Sequence, residues 1–169
     1  MNDRRRCEKL LGLAPHPREG GWYVRTYEAA ETVAAAAFED GRYPSRRRTG
    51  TAIYYLLEPD SFSEMHRLRS DEIFHFYAGD AVEMLQLRPD GSGGTVVIGN
   101  DLAAGQRPQV VVERNIWQGS RLVTGGKWAL LGCTVNPGFE FEDYDAGDRA
   151  QLSAGWPKFA GMIAALTRD

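Results

Sequence analysis

Short apolar segments recur along this chain every 8–12 residues or so, with turn residues between them. Thr51–Leu57 (TAIYYLL) is the strongest of them, rich in β-branched and aromatic side chains. Phe62–Leu68, Glu72–Tyr77, Ala81–Leu87, Thr95–Ile98, Gln109–Glu113, Ser120–Thr124 and Lys127–Val135 follow as further strands. Glu58-Pro59-Asp60, Gly79-Asp80, the loop Arg88–Gly94 and the tight hairpin signal Thr124-Gly125-Gly126 punctuate the series. A run of short strands at this spacing predicts an all-β sandwich or barrel.

The two ends of the chain read differently. Residues 3–13 predict a short helix, with Asp3 as its N-cap and Gly12 near its end. After an irregular stretch with two prolines and two glycines, Trp22–Tyr27 reads as a strand. Its alternation sets Tyr23, Arg25 and Tyr27 on one side and Trp22, Val24 and Thr26 on the other. Ala29–Pro44 has weak patterning and is expected to be a loop. Beyond Asn136-Pro137-Gly138 the chain turns acidic, and Phe139, Phe141 and Tyr144 are expected to pin this tail to the barrel. Asp148 is placed to cap a C-terminal helix reaching about Leu166, broken near Gly155-Trp156-Pro157. The expected organisation is one domain over residues 1–169: a barrel over about 20–145 and a helical tail over about 148–166.

Composition narrows the partners. Apolar residues make up 43% and charged residues 25%, and the formal net charge is −3. That balance disfavours nucleic acid. Arg4-Arg5-Arg6 and Arg46-Arg47-Arg48 are shorter than nucleic-acid-binding runs and are expected to be solvated. Two cysteines, Cys7 and Cys133, make no disulfide framework, so a reducing cytoplasm is the expected location. The N-terminus lacks the apolar stretch of a signal peptide, and no run of apolar residues is long enough for a membrane span.

The stretch FSEMHRLRSDEIFHFYAG, residues 62–79, carries the chemistry. It holds two of the three histidines, His66 and His75, with Glu72 between them. Arg69-Ser70-Asp71 suits a tight turn, so His66 and Glu72 can face one cavity from two strands. Alternation puts Phe62, Glu64, His66 and Leu68 on one face, and Glu72, Phe74 and Phe76 on one face with Ile73, His75 and Tyr77 opposite. Ile53 and Tyr55 likewise share a face.

The segment resembles the first motif of the cupin superfamily, which reads G, five residues, HxH, three or four residues, E, six residues, G. His66 takes the first histidine, Leu68 stands in place of the second, Glu72 takes the glutamate, and Gly79 closes the motif. The second cupin motif, a histidine after a PxG turn, corresponds to Glu113–Gln118, with Asn115 for the glycine and Gln118 for the histidine. Asn is suited to a position needing positive φ. HPREGGWYVRTY (16–27), GQRPQVVV (105–112) and LLGCTVNPGFEFEDYDAGDR (130–149) resemble one cupin subfamily, related in fold to dTDP-sugar epimerases. Arg18 is an extra residue in that subfamily's HPEGG. The resemblance implies a double-stranded β-helix (jelly roll) with short terminal helices, and a homodimer. It also implies that His66, Glu72 and Phe74 point into the barrel, with Gln118 at the pocket rim beside Trp117. His75 then faces away, as a packed or dimer-interface residue.

Three readings of the pocket follow. In a metal-free enzyme of the isomerase or epimerase kind, His66 is the base and Glu72 orients it. Tyr55 or Tyr23 then supplies the acid, and Arg25 holds an anionic group. In a binding or sensor protein, Tyr55, Phe74, Phe76 and Trp117 form apolar walls around a small polar metabolite. In a metal-dependent enzyme, His66, Glu72 and Gln118 are the ligands of a divalent ion. One imidazole, one carboxylate and a neutral amide make a weak set, so no metal is favoured. Cys133 is expected to be a buried small hydrophobe.

Overall fold

The structure, a computed structural model, describes residues 3–38 and 40–168. It contains the helix α1 (Asp3–Leu11) and the strands β1 (Ala14–Pro15), β2 (Trp22–Glu28), β3 (Thr32–Val33), β4 (Arg47–Arg48), β5 (Thr51–Leu57), β6 (Phe62–Leu68) and β7 (Asp71–Gly79). β8 (Val82–Leu87), β9 (Gly93–Ile98), β10 (Gln109–Val112), β11 (Trp117–Leu122), β12 (Ala129–Asn136) and β13 (Tyr144–Ala146) follow, then α2 (Arg149–Gly155) and α3 (Ala160–Ala165). One antiparallel sheet has the order β1-β2-β5-β12-β7-β10 and the other β13-β6-β11-β8-β9. From β5 to β8 and from β10 to β13 each strand lies in the opposite sheet from the one before it. This is the expected double-stranded β-helix.

The inward faces supply the alternate residues that the strand period demands. Tyr55, Leu57, Phe74, Met84, Leu131 and Cys133 form the core between the sheets. On the outer face of the six-stranded sheet, Cys7 and Leu11 of α1 pack with Trp22, Val24 and Tyr54. α2 and α3 cover the other sheet through Leu152, Ile163 and Leu166. Asp148 Oδ1 accepts from Gln151 N at 2.8 Å, the expected cap, and the tail breaks where Pro157 starts a new turn. α1 stops at Gly12, whose φ is +68°. The expected cap of α1, the side chain of Asp3, lies outside the described residues. No helix among the described residues is long and apolar enough to cross a membrane.

Three expectations are corrected. Ala29–Pro44 is not wholly irregular, since Thr32–Val33 pairs with Arg47–Arg48 as a two-stranded ribbon. Arg47 is not solvated. It is 1% exposed, and its Nε and Nη2 donate to the two oxygens of Asp143, each at 2.8 Å. Its remaining donors meet Glu142, Ser45 and the Arg46 carbonyl, so burial leaves nothing unpaired. Finally, Phe62 does not share the face of His66. The β6–β11 register shifts between Gln118 and Ser120, a bulge that breaks the two-residue period. Phe62 and Met65 consequently pack outward with α2 and α3, while Ser63, His66 and Leu68 turn inward.

Candidate functional site

A single cavity combines most of the chemistry-bearing side chains. Its volume is about 40 Å³, room for about three waters. The two-residue turn after β6 sends His66 and Glu72 into opposite sheets, so they face each other across the barrel. Gln118 is paired directly opposite His66 on β11. Its Nε2 donates to Glu72 Oε2 at 2.5 Å and lies 3.3 Å from His66 Nε2. The amide thus bridges the two sheets, and Gln118 is buried behind the cavity (1% exposed), not at its rim. Glu72 does not orient His66 directly.

Two histidines line the cavity with opposite tautomers. His66 Nδ1 is 2.7 Å from the Glu64 carbonyl, which can only accept, so Nδ1 carries a proton and in the neutral ring Nε2 carries the lone pair. His16 Nδ1 accepts from the backbone N of Glu19 at 2.8 Å, so in the neutral ring the proton sits on Nε2. Burial lowers the His16 pKa and favours that neutral ring. The turn from His16 to Gly21 that presents this ring closes with His16 N donating to the Gly21 carbonyl at 2.9 Å. It requires glycine: Gly20 has φ +98°, and a Cβ there would strike the Phe62 carbonyl.

The same turn delivers Glu19, whose carboxylate accepts from Ser63 and lies 3.9 Å from His16 Nε2. Glu72 is 7% exposed. Burial first and the Glu19 charge second push its carboxyl up to about 8, against hydrogen bonds from Gln118 and the Cys133 thiol. Burial thus favours the protonated, neutral form of Glu72. Tyr144 stacks on His66, with centroids 4.8 Å apart and planes 18° from parallel, and its buried hydroxyl finds no partner among the described residues.

Of the residues expected from sequence, His66, Glu72, Tyr23 and Arg25 line the cavity. Arg25 is at the mouth, bonded to Glu28 at 2.6 Å and to the Phe139 carbonyl at 3.3 Å. The others do not line it. Tyr55 is fully buried and donates to the Gly20 carbonyl at 2.8 Å, so it braces the His16–Gly21 turn. Phe74 belongs to the apolar core. Trp117 faces outward beneath the Arg67 guanidinium, because it is one residue from the inward Gln118. His75 faces away and bonds Thr134 at 3.2 Å. Sequence reasoning passed over His16, Glu19 and the cavity-side role of Cys133. The third histidine, three residues before a Glu-Gly-Gly turn, was the available signal.

A divalent metal does not fit these residues. Among the described residues no group of three or more His, Cys, Asp or Glu side chains is disposed to hold one. Leu68 forms wall where a second imidazole would stand, and the Gln118 N–H group, not its oxygen, points at Glu72 and His66.

Comparison with known proteins agrees with this architecture. The sequence profile of a family described as "Cupin superfamily (DUF985)" matches residues 7–147. Uncharacterized protein YML079W of Saccharomyces cerevisiae is 28% identical over 134 residues, 75% of this chain and 67% of that one. The solved structure of protein SO0799 from Shewanella oneidensis is 33% identical, with 99% of each chain covered and a TM-score of 0.85. A hypothetical protein from Leishmania major is 30% identical, covers 99% of this chain and 100% of its own, and has a TM-score of 0.88. Oxalate decarboxylase from Bacillus subtilis, 11% identical with a TM-score of 0.53 over 37% of its chain, shares the fold alone.

Proposed function

The chain belongs to the cupin superfamily (DUF985), and we propose that it is a metal-independent acid–base enzyme of the isomerase or epimerase kind, acting on a small polar metabolite, sugar-derived molecules included. The observation that carries this reading is the pair of opposed tautomers, one imidazole offering a lone pair and the other an N–H to the same cavity. His66 Nε2 removes a proton from a substrate carbon next to a carbonyl, displacing the long contact to Gln118. The neutral His16 N–H binds the oxygen on which charge develops. Glu72, protonated below about pH 8, returns a proton to the substrate, so no net proton is gained or lost.

The test is proton exchange. Candidate hydroxy-carbonyl compounds are incubated in D₂O with the chelator-treated protein, and C–H signals are followed by NMR. Exchange at one carbon, lost in His66→Asn, is the expected result. Ligand-induced stabilisation without exchange in any compound would make this a binding protein instead. The homodimer expected from sequence is also a proposal. We assign it to the outer face of the six-stranded sheet, where Tyr77 is 51% exposed beside His75. Light scattering on the parent and on Tyr77→Glu tests it.

A further inference from the structure

The cavity is uneven in charge from floor to mouth. Glu19 and Glu72 both line it, and no lysine or arginine forms an ion pair with either carboxyl group among the described residues. Glu19 accepts from the neutral Ser63 hydroxyl, and the one ionisable base within 4 Å of it among the described residues is His16, whose neutral ring is favoured by burial. A carboxylate taken out of water without a cation is costly, and a cationic ligand head offsets that cost. Beside the N–H of His16, the cavity presents the Glu19 carboxylate and the His66 Nε2 lone pair as acceptors. A ligand head that fits must bring donors.

The mouth carries arginines. Arg25 sits there with 32% of its side chain exposed, its Nη1 paired with the half-exposed Glu28 at 2.6 Å and its Nη2 on the Phe139 carbonyl. Arg18 lies over the Phe141 ring at 5.3 Å and bonds the Phe141 carbonyl at 3.2 Å, with no carboxylate partner among the described residues. Phe141 itself lines the cavity. From these placements we infer that the site takes a small zwitterion, a primary ammonium head seated against Glu19 with an anionic group at the mouth beside Arg25 and Arg18. This rests on the acid–base reading above and narrows its substrate class to amino acids and other short amino-carboxylates.

An ammonium brings three N–H donors and the missing charge, and about 40 Å³ accommodates a head of a few heavy atoms. Seated against Glu19 it also offsets the negative field that Glu19 exerts on Glu72. That moves the Glu72 proton affinity towards the working pH, where an acid transfers protons best.

Matched pairs test the inference. Glycine, β-alanine and 4-aminobutanoate are titrated by calorimetry or thermal shift against glycolate, 3-hydroxypropanoate and 4-hydroxybutanoate, the series covering three spacings between the charged ends. The expected result is that one or more amines bind about tenfold or more tighter than their hydroxy partners, and that Glu19→Gln removes the preference. Arg25→Gln then weakens the amino-carboxylate but not the same amine without its carboxylate. Equal or better binding of the hydroxy compounds overturns the inference, as does the absence of binding by every amine. Should Glu19→Gln fail to fold, the preference in the parent protein decides. Proton exchange separates the two proposals: amine-selective binding without C–H exchange sinks the enzyme and leaves this inference, and exchange in uncharged hydroxy-carbonyls alone does the reverse.

Discussion

At Asp143 a buried carboxylate meets a buried guanidinium through two bonds of 2.8 Å; at Glu72 a buried carboxyl meets only an amide and a thiol. The first joins the acidic tail to the Arg47–Arg48 strand, and the second lies among barrel strands. The Arg47 cluster spends every donor on an acceptor and ties the 29–48 insertion to residues 142–143. The cavity leaves charge uncompensated, and the Gln118 oxygen and Tyr144 hydroxyl find no partner among the described residues. A structural polar group is saturated by the chain itself, whereas a working one keeps capacity for something else.

Breaking the saturated side has the largest expected effect. Arg47→Met strands Asp143 and costs about 3–5 kcal/mol, read as a lowered urea midpoint. Gly20→Ala follows, at about 2–3 kcal/mol, because a Cβ meets the Phe62 carbonyl and φ is positive. It also displaces His16 and Glu19, so ligand-induced stabilisation falls further than the melt alone accounts for.

The unsaturated side is expected to behave oppositely. The Glu72 pKa rises from an ordinary 4.5 to about 8 on folding, so between those values the native state binds more protons than the unfolded chain. That contribution is fully present below pH 4.5 and is lost as pH rises through 8. Melting temperature should fall between pH 5 and pH 8, and Glu72→Gln should flatten the fall and stabilise the protein at pH 8 by about 1–2 kcal/mol. A melting curve that falls as steeply in the variant would show that Glu72 is not the group responsible. Smallest is Tyr144→Phe, which removes an unpartnered hydroxyl and leaves the stack on His66; stability should change by less than about 1 kcal/mol in either direction.

The strand series, the capped and broken C-terminal tail, and the facing of His66 and Glu72 onto one cavity were legible in the sequence. Each depends on neighbours close in the chain: a two-residue period, a two-residue turn, a Gln151 amide three residues after Asp148. Asn115 was expected at a positive φ from the resemblance to the second cupin motif, and it holds φ at 65°. Arg47 was misread because a run of arginines looks solvated until Asp143, 96 residues away, arrives beside it. Phe62 was misread because the register shift between β6 and β11 is a property of the pair.

Sequence by itself thus determined the barrel and one histidine–carboxylate pair within it. Tertiary structure alone decided that Gln118 stands between the members of that pair, and that the His16–Gly21 turn brings in a second pair. It alone set the charge left in the cavity, because desolvation and Coulomb fields depend on what surrounds a group in space, not on what precedes it in the chain.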